Sequence, residues 1–198
     1  MASTTKYITL LVALTAMASA SWVPLLSLMV SSALTHACPL PTNSTGVDAI
    51  VAGMTTLALD YVAFQNGVQH FNGTQDQYDN GLSGEITVEK SIKQAIVVTT
   101  ASDALNANES QQVLDALQLP YPTFMQELLH DIATKAQPVA KLNKSADVIA
   151  ITQGLNNITD QLARAVQKKV VADVAKQVAL GQEWVDDLFA DTIRAYQA

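Results

Sequence analysis

Three stretches of the chain carry apolar or small residues spaced alternately three and four apart. The first is Val47, Ile50, Met54, Leu57, Tyr61, Phe64, Val68 and Phe71. The second is Val148, Ile151, Leu155, Ile158, Leu162 and Ala165, with Lys169 in the same phase. The third is Val171, Val174, Val178, Gly181, Val185, Leu188, Thr192 and Ala195. That spacing places all of these side chains on one stripe of a helix, whereas a strand would need period two. The first and third stripes last about seven turns, and no helix of that kind is stable alone in water. The stripes must bury against one another. The fold class is therefore all-α, an antiparallel bundle of about five long helices in a single domain.

The intervening chain sets the boundaries. Residues 38–46, with Pro39, Pro41 and Asn43, read as a linker to a bundle domain over 47–198. Asn72-Gly73 stops the first helix, because Gly takes the left-handed cap conformation. Thr74 to Gly84 is polar and Gly-rich and reads as a loop. A second helix is predicted from about Glu85 to Leu105, with Glu85 and Glu89 near its positive end; the β-branched run Val97-Val98-Thr99-Thr100 weakens it. Asn108-x-x-Gln111 resembles a capping box opening a short helix. Pro122 fits the first turn of the next helix, which carries Phe124, Met125, Leu128 and Ile132 and ends before Pro138. A fourth long helix starts near Val139 or Ser145, and a fifth runs from about Val170 to Tyr196. Nothing in Lys168-Lys169-Val170-Val171 says whether the chain breaks there.

The N-terminus changes the picture of where this protein works. After Lys6 no charge appears until Asp48, and Tyr7 to Ala20 reads as the apolar core of a signal peptide. Ala18-Ser19-Ala20 has the small-x-small form of a cleavage site, so residues 1–20 are removable. Trp22 to Leu34 is also apolar, and a cut as late as residue 37 would remove it too. One membrane anchor over Tyr7 to Leu34 is the rival, opposed by Pro24 and the single basic flank. Without residues 1–37 the chain keeps ten Lys and Arg against eighteen Asp and Glu, a net charge of −8. That acidity argues against nucleic acid and anionic membranes as partners. Cys38 is the only cysteine, so the domain has no internal disulfide and must hold together by packing. Five of the nine asparagines, Asn43, Asn72, Asn108, Asn143 and Asn157, lie in Asn-x-Ser/Thr sequons, more than composition alone would place there. They are the expected glycosylation sites of a secreted, extracellular or cell-wall protein.

Catalytic patterns are missing. The sequence holds no His-Glu-x-x-His, Cys-x-x-Cys, P-loop or Gly-x-Ser-x-Gly. Gly81-Leu82-Ser83-Gly84 only imitates part of a nucleophile elbow. His70 lies at a helix end and His130 on a polar face, a poor basis for a metal site, and Glu183, Asp186 and Asp187 form an acidic helical surface. No enzyme, metal or cofactor is expected. The stripes are core first and ligand site second. Large, adaptable Met54, Tyr61, Phe64 and Phe71 would face small Val171, Val174, Val178, Ala165, Gly181 and Ala195, which gives either interlocking or a tunnel along the axis.

The Val/Ile/Leu helix ending Phe71-Asn72-Gly73, the Gly-rich segment with Leu82, the Leu128-Leu129-His130-Asp131-Ile132-Ala133-Thr134-Lys135 run and the two alanine-rich helices resemble the fungal hydrophobic surface binding protein A family, also called antigenic cell wall galactomannoproteins. The resemblance covers about Val47 to Tyr196. It implies a secreted helical bundle of the cell wall; some members bind fatty acids inside the bundle, and others adsorb to hydrophobic solids and assist secreted esterases. The chain ends without the Ser/Thr-rich tail or lipid-anchor signal of some members, which argues against permanent wall attachment. The expected partner is a long-chain fatty acid or other apolar ligand, with hydrophobic surfaces and secreted esterases beside it, and the sequence leaves a homodimer open. Burying a sixteen-carbon chain at ~0.8 kcal/mol per methylene yields on the order of 12 kcal/mol gross, and association costs leave roughly micromolar affinity or better. The cavity candidates are Met54, Leu57, Tyr61, Phe64, Leu128, Ile132, Ile151, Leu155, Val174 and Val178. Tyr61, Gln65, Thr99 and Gln153 are the candidate polar anchors. A wall protein with a simply packed core, or a recruiter or inhibitor docking on a secreted hydrolase, are the alternatives.

Overall fold

The computed structural model describes residues 46–198; the signal segment, Cys38 and Asn43 lie outside the described residues. Seven helices follow in order: α1 Val47–His70, α2 Gln75–Ala101, α3 Ala107–Leu117, α4 Phe124–Thr134, α5 Ala136–Lys141, α6 Ser145–Gln167 and α7 Ala172–Gln197. Four are long and three short, and no strand occurs among the described residues.

Neighbours along the chain run antiparallel. A Cβ on Gly84 of α2 would sit against Phe64 of α1, and one on Gly53 of α1 against Ala95 of α2, so the two helices count in opposite directions. α6 and α7 reverse likewise, with Gln167 Nε2 donating to Gln182 Oε1 at 2.9 Å. α2 and α6 run parallel, because Lys144 before α6 stacks over Tyr78 near the start of α2, while Lys169 after α6 donates to Ser102 O after α2 at 2.6 Å. The segment α3–α5 makes the return that this parallel pair requires.

Two boundaries differ from the sequence reading, and one that it left open is decided. The expected loop over residues 74–84 is the start of α2: Thr74 caps it by accepting from Gln77 N at 3.4 Å. Its glycines do not break the helix, since Gly84 is where Phe64 packs, 3.3 Å from a notional Cβ. Propensity loses here to close approach. The β-branched run stays helical for a similar reason, with Thr99 only 1% exposed. The capping box opens α3 two residues earlier than expected: Asn106 Oδ1 accepts from Glu109 N at 3.0 Å, and Glu109 Oε2 accepts from Asn106 N at 2.8 Å. α4 ends at Thr134, before Pro138 as expected, and Pro138 lies within the first turn of the short α5, where a missing N–H costs nothing. The chain does break at residues 168–171, without Gly or Pro. Leu105 N donates to Lys169 O at 2.7 Å and Val171 N to Ser110 Oγ at 3.0 Å, so the corner after α2 pins the reversal.

The buried faces follow the stripes with a slow rotation. Ile50, Met54, Leu57, Tyr61 and Phe64 are buried on α1, and Leu155, Ile158 and Leu162 on α6. Towards the ends the burial moves one position on, from Ala165 to Val166, from Leu188 to Phe189 and from Ala195 to Tyr196. A straight helix turns once per 3.6 residues and not 3.5, so a strict 3,4 stripe drifts about 20° per heptad. Gly181 is exposed, so it is no wall of a tunnel. α1 packs chiefly on α2 and α3, and α6 on α7 and α2. The large residues of α1 therefore do not interlock with the small ones of α7. Part of α1 instead faces α6 across a hollow.

Candidate functional site

The hollow lies at the end of the bundle where α1 stops and α2 and α6 begin. α1 contributes Phe64, Gly67, Val68 and the residue after it, Phe71; α2 contributes Gln77, Tyr78, Gly81, Leu82 and Glu85. Opposite them are Val148, Ile151, Thr152 and Leu155 of α6, closed off by Ile132, Lys135, Val139 and Tyr196. Centres of water molecules have about 80 Å³ available, and the whole unfilled space, open mouth included, is about 610 Å³. The enclosed part is smaller than a site that fully envelops a drug-sized molecule, so a long acyl chain must also use the open mouth.

Two glycines shape it. A Cβ on Gly67 or Gly81 would meet no atom within 4 Å, so both backbones border empty space. On α2 the residues Tyr78, Gly81, Leu82 and Glu85 follow the i, i+3, i+4, i+7 pattern of one helical face. That face was hidden from the sequence reading, because the segment read as a loop. Reading 74–84 as helix would have exposed it.

Most polar groups around the cavity are already engaged. Lys135 Nζ donates to Gln69 O at 3.0 Å and Phe71 O at 3.1 Å, satisfying carbonyls at the end of α1. Gln77 accepts from Asn72 N at 3.0 Å and donates to His70 O at 3.2 Å. Tyr196 OH donates to Ile132 O at 2.7 Å, and burial raises its pKa. Thr152, buried on α6, and Glu85 are the exceptions, with Glu85 the ionisable one. Glu85 is 8% exposed, accepts no hydrogen bond from any described residue, and its carboxyl is pushed above the usual range by burial first and Glu89 second, with Lys93 opposing.

Of the ten cavity candidates, Phe64, Ile132, Ile151 and Leu155 line this space. Met54, Leu57, Tyr61, Leu128, Val174 and Val178 are buried in the core away from it. Tyr61 packs on Phe124 with ring centroids 6.1 Å apart, and burial pushes its phenol up to about 12. Among the polar candidates, Gln65 donates to Asp131 Oδ2 at 3.1 Å, Thr99 is buried off the cavity, and Gln153 is exposed. Sequence reasoning missed Glu85, Lys135, Tyr78 and Tyr196. Ser83, in the imitation elbow, donates to Asp79 O within α2 at 3.0 Å, and His70 Nδ1 lies 2.7 Å from Asn66 O. Among the described residues no three His, Cys, Asp or Glu side chains gather as a metal site.

The fold is a helical bundle with an apolar hollow between its long helices, and known proteins share it. The chain belongs to the hydrophobic surface binding protein A family, whose model matches residues 47–168. Among solved structures it is similar to AfMP4p in complex with palmitic acid, at 25% identity and a TM-score of 0.73, over 76% of this chain and 99% of that one. It is also similar to ligand binding domain 1 of the Penicillium marneffei MP1 protein, complexed with arachidonic acids, at 14% identity and a TM-score of 0.70, over 76% and 97% of the two chains. Domain 2 of MP1, with multiple arachidonic acids, matches at 13% identity and a TM-score of 0.68, over 78% and 97%. No curated protein matches the sequence significantly.

Proposed function

We propose that this protein is a secreted, glycosylated, non-catalytic binder of long-chain fatty acids, and that the acyl chain lies in the hollow between α1, α2 and α6. The observation that carries the reading is the cavity itself, walled by Phe64, Val68, Phe71, Ile151 and Leu155 and bordered by two glycines. Its similarity to a palmitic acid complex supports the ligand class. Secretion to the medium or wall rests on the signal segment and on the sequons. Asn72, Asn108, Asn143 and Asn157 are all exposed, so each can carry a glycan.

A fluorescent fatty acid tests this directly. It should bind saturably, be displaced by unlabelled palmitate, and raise the Tm, with ~2.7 kcal/mol of stabilisation at a hundredfold excess over Kd. Gly81→Phe places a ring in the empty space and should abolish binding with helicity unchanged. Val178→Trp acts elsewhere, overpacking the core at a cost of ~1–3 kcal/mol. Saturable binding that survives Gly81→Phe unaltered would move the site to the surface and favour adsorption to hydrophobic solids. No binding to either protein would leave a simply packed wall protein.

A further inference from the structure

Glu85 is, residue for residue, the least exposed acidic side chain among the described residues, and it lines the cavity. A carboxyl group in apolar surroundings needs a hydrogen-bond partner or must stay neutral. The protein supplies no partner. Tyr196 and Gln77 are committed to backbone groups, and α1 and α6 present only Phe64, Val68, Phe71, Val148, Ile151, Leu155 and the neutral hydroxyl of Thr152. The Glu85 oxygens still reach water in the empty protein; an acyl chain that displaces that water leaves the carboxyl without a partner, and a hydroxyl on the chain restores one.

The cavity has a second polar point. Lys135 has two of its three N–H groups on the carbonyls of Gln69 and Phe71, so one proton remains for a ligand anion at that end. Glu85 stands level with Phe64, the neighbour of Gly84, whereas Lys135 binds at Phe71. Those levels differ by seven residues of α1, roughly 10 Å of helix rise. An extended chain advances about 1.2 Å per bond, so roughly eight bonds span the interval.

We propose that the cavity selects hydroxylated long-chain acids: the carboxylate meets Lys135, and a mid-chain hydroxyl donates to Glu85. This rests on the fatty-acid reading above and sharpens it. In a purely apolar cavity a hydroxyl on the chain weakens binding, because it loses water and finds nothing. Beside Glu85 the same hydroxyl strengthens it. The sign of the effect therefore identifies the site.

The experiment measures displacement of a fluorescent fatty acid by stearic acid, 10-hydroxystearic acid and 2-hydroxystearic acid. With the native protein, 10-hydroxystearic acid should bind about tenfold tighter than stearic acid, as expected for pairing a buried polar group, and 2-hydroxystearic acid should show no gain. Glu85→Leu should reverse the preference, and Glu85→Gln, whose amide still accepts, should retain it. Equal or tighter binding of stearic acid by the native protein overturns the proposal while the fatty-acid reading stands. So does a preference unchanged in Glu85→Leu, or an equal gain from the 2-hydroxy isomer. Absence of stearic acid binding altogether overturns both. Far-ultraviolet circular dichroism of each variant establishes that it is folded, and if Glu85→Leu does not fold, loss of the preference in Glu85→Gln overturns the proposal.

Discussion

Two carboxyl groups are held above the usual range by the fold and so contribute a pH-dependent part of its stability. Glu85 is raised by burial and Glu89, and Asp186 by burial and then Asp160, with Asn156 and Arg164 opposing. A carboxyl whose folded pKa exceeds its unfolded value favours the folded state most when protonated. Its contribution is fully present below the ordinary carboxylate pKa and is lost as pH rises through the folded value. Mild acidification from neutral pH should therefore raise the Tm. Glu85→Gln, an uncharged near-isostere, should raise the Tm at pH 7 and flatten the rise seen on acidification. A thermal melt series showing the same slope in both proteins would place the dependence in the overall acidity of the chain instead. Neither carboxyl could be singled out by residue type or spacing, since desolvation depends on what other helices place around the group.

At the scale of the helix, glycine divides into two kinds. Gly154 and Gly181 are exposed within α6 and α7, and a Cβ on either would meet nothing. Gly154→Ala and Gly181→Ala should each stabilise by ~1 kcal/mol, the difference in helix propensity. Gly84 is the opposite case, because its Cβ would lie 3.3 Å from the Phe64 ring, which sits in contact with α2. Gly84→Ala should lose that gain to displacement of Phe64, and urea unfolding of the three variants would separate the two classes. The same distinction explains why a Gly-rich segment became helix at 75–84. Composition registers the number of glycines, whereas the neighbouring helix decides whether a missing side chain is a weakness or a requirement. The long stripes were legible because a 3,4 repeat belongs to one helix alone, and only their drift towards Val166, Phe189 and Tyr196 depended on the true pitch.

For the whole molecule, the proposed mature form begins between Ser21 and Cys38. Terminal sequencing of protein secreted into the medium should find its first residue there, and intact Met1 on a membrane fraction would contradict it. The same sample, by native mass spectrometry, should show glycan mass together with any copurified lipid. An acidic surface and one cysteine constrain the partners and the means of stability of such a form, but they say nothing of the interior.

The all-helical class, the extents of α1 and α7 and the absence of an internal disulfide were settled by the sequence alone, because periodicity and cysteine count are properties of a single strand of residues. The family could be named from the same patterns. Where the hollow lies was decided only by the tertiary structure. Phe64, Ile132, Ile151 and Leu155 share their stripe patterns with residues such as Met54, Leu128 and Val178, and no local feature separates the two groups. The difference is that the latter meet a packed neighbour while the former face α6 or α1 across a gap. Glu85 was brought onto that gap by the parallel placement of α2 and α6, and Lys135 by the docking of the α4–α5 junction on the end of α1. A helical stripe records which side of a helix must leave water, and only the packing of all the helices determines whether that side meets protein or empty space.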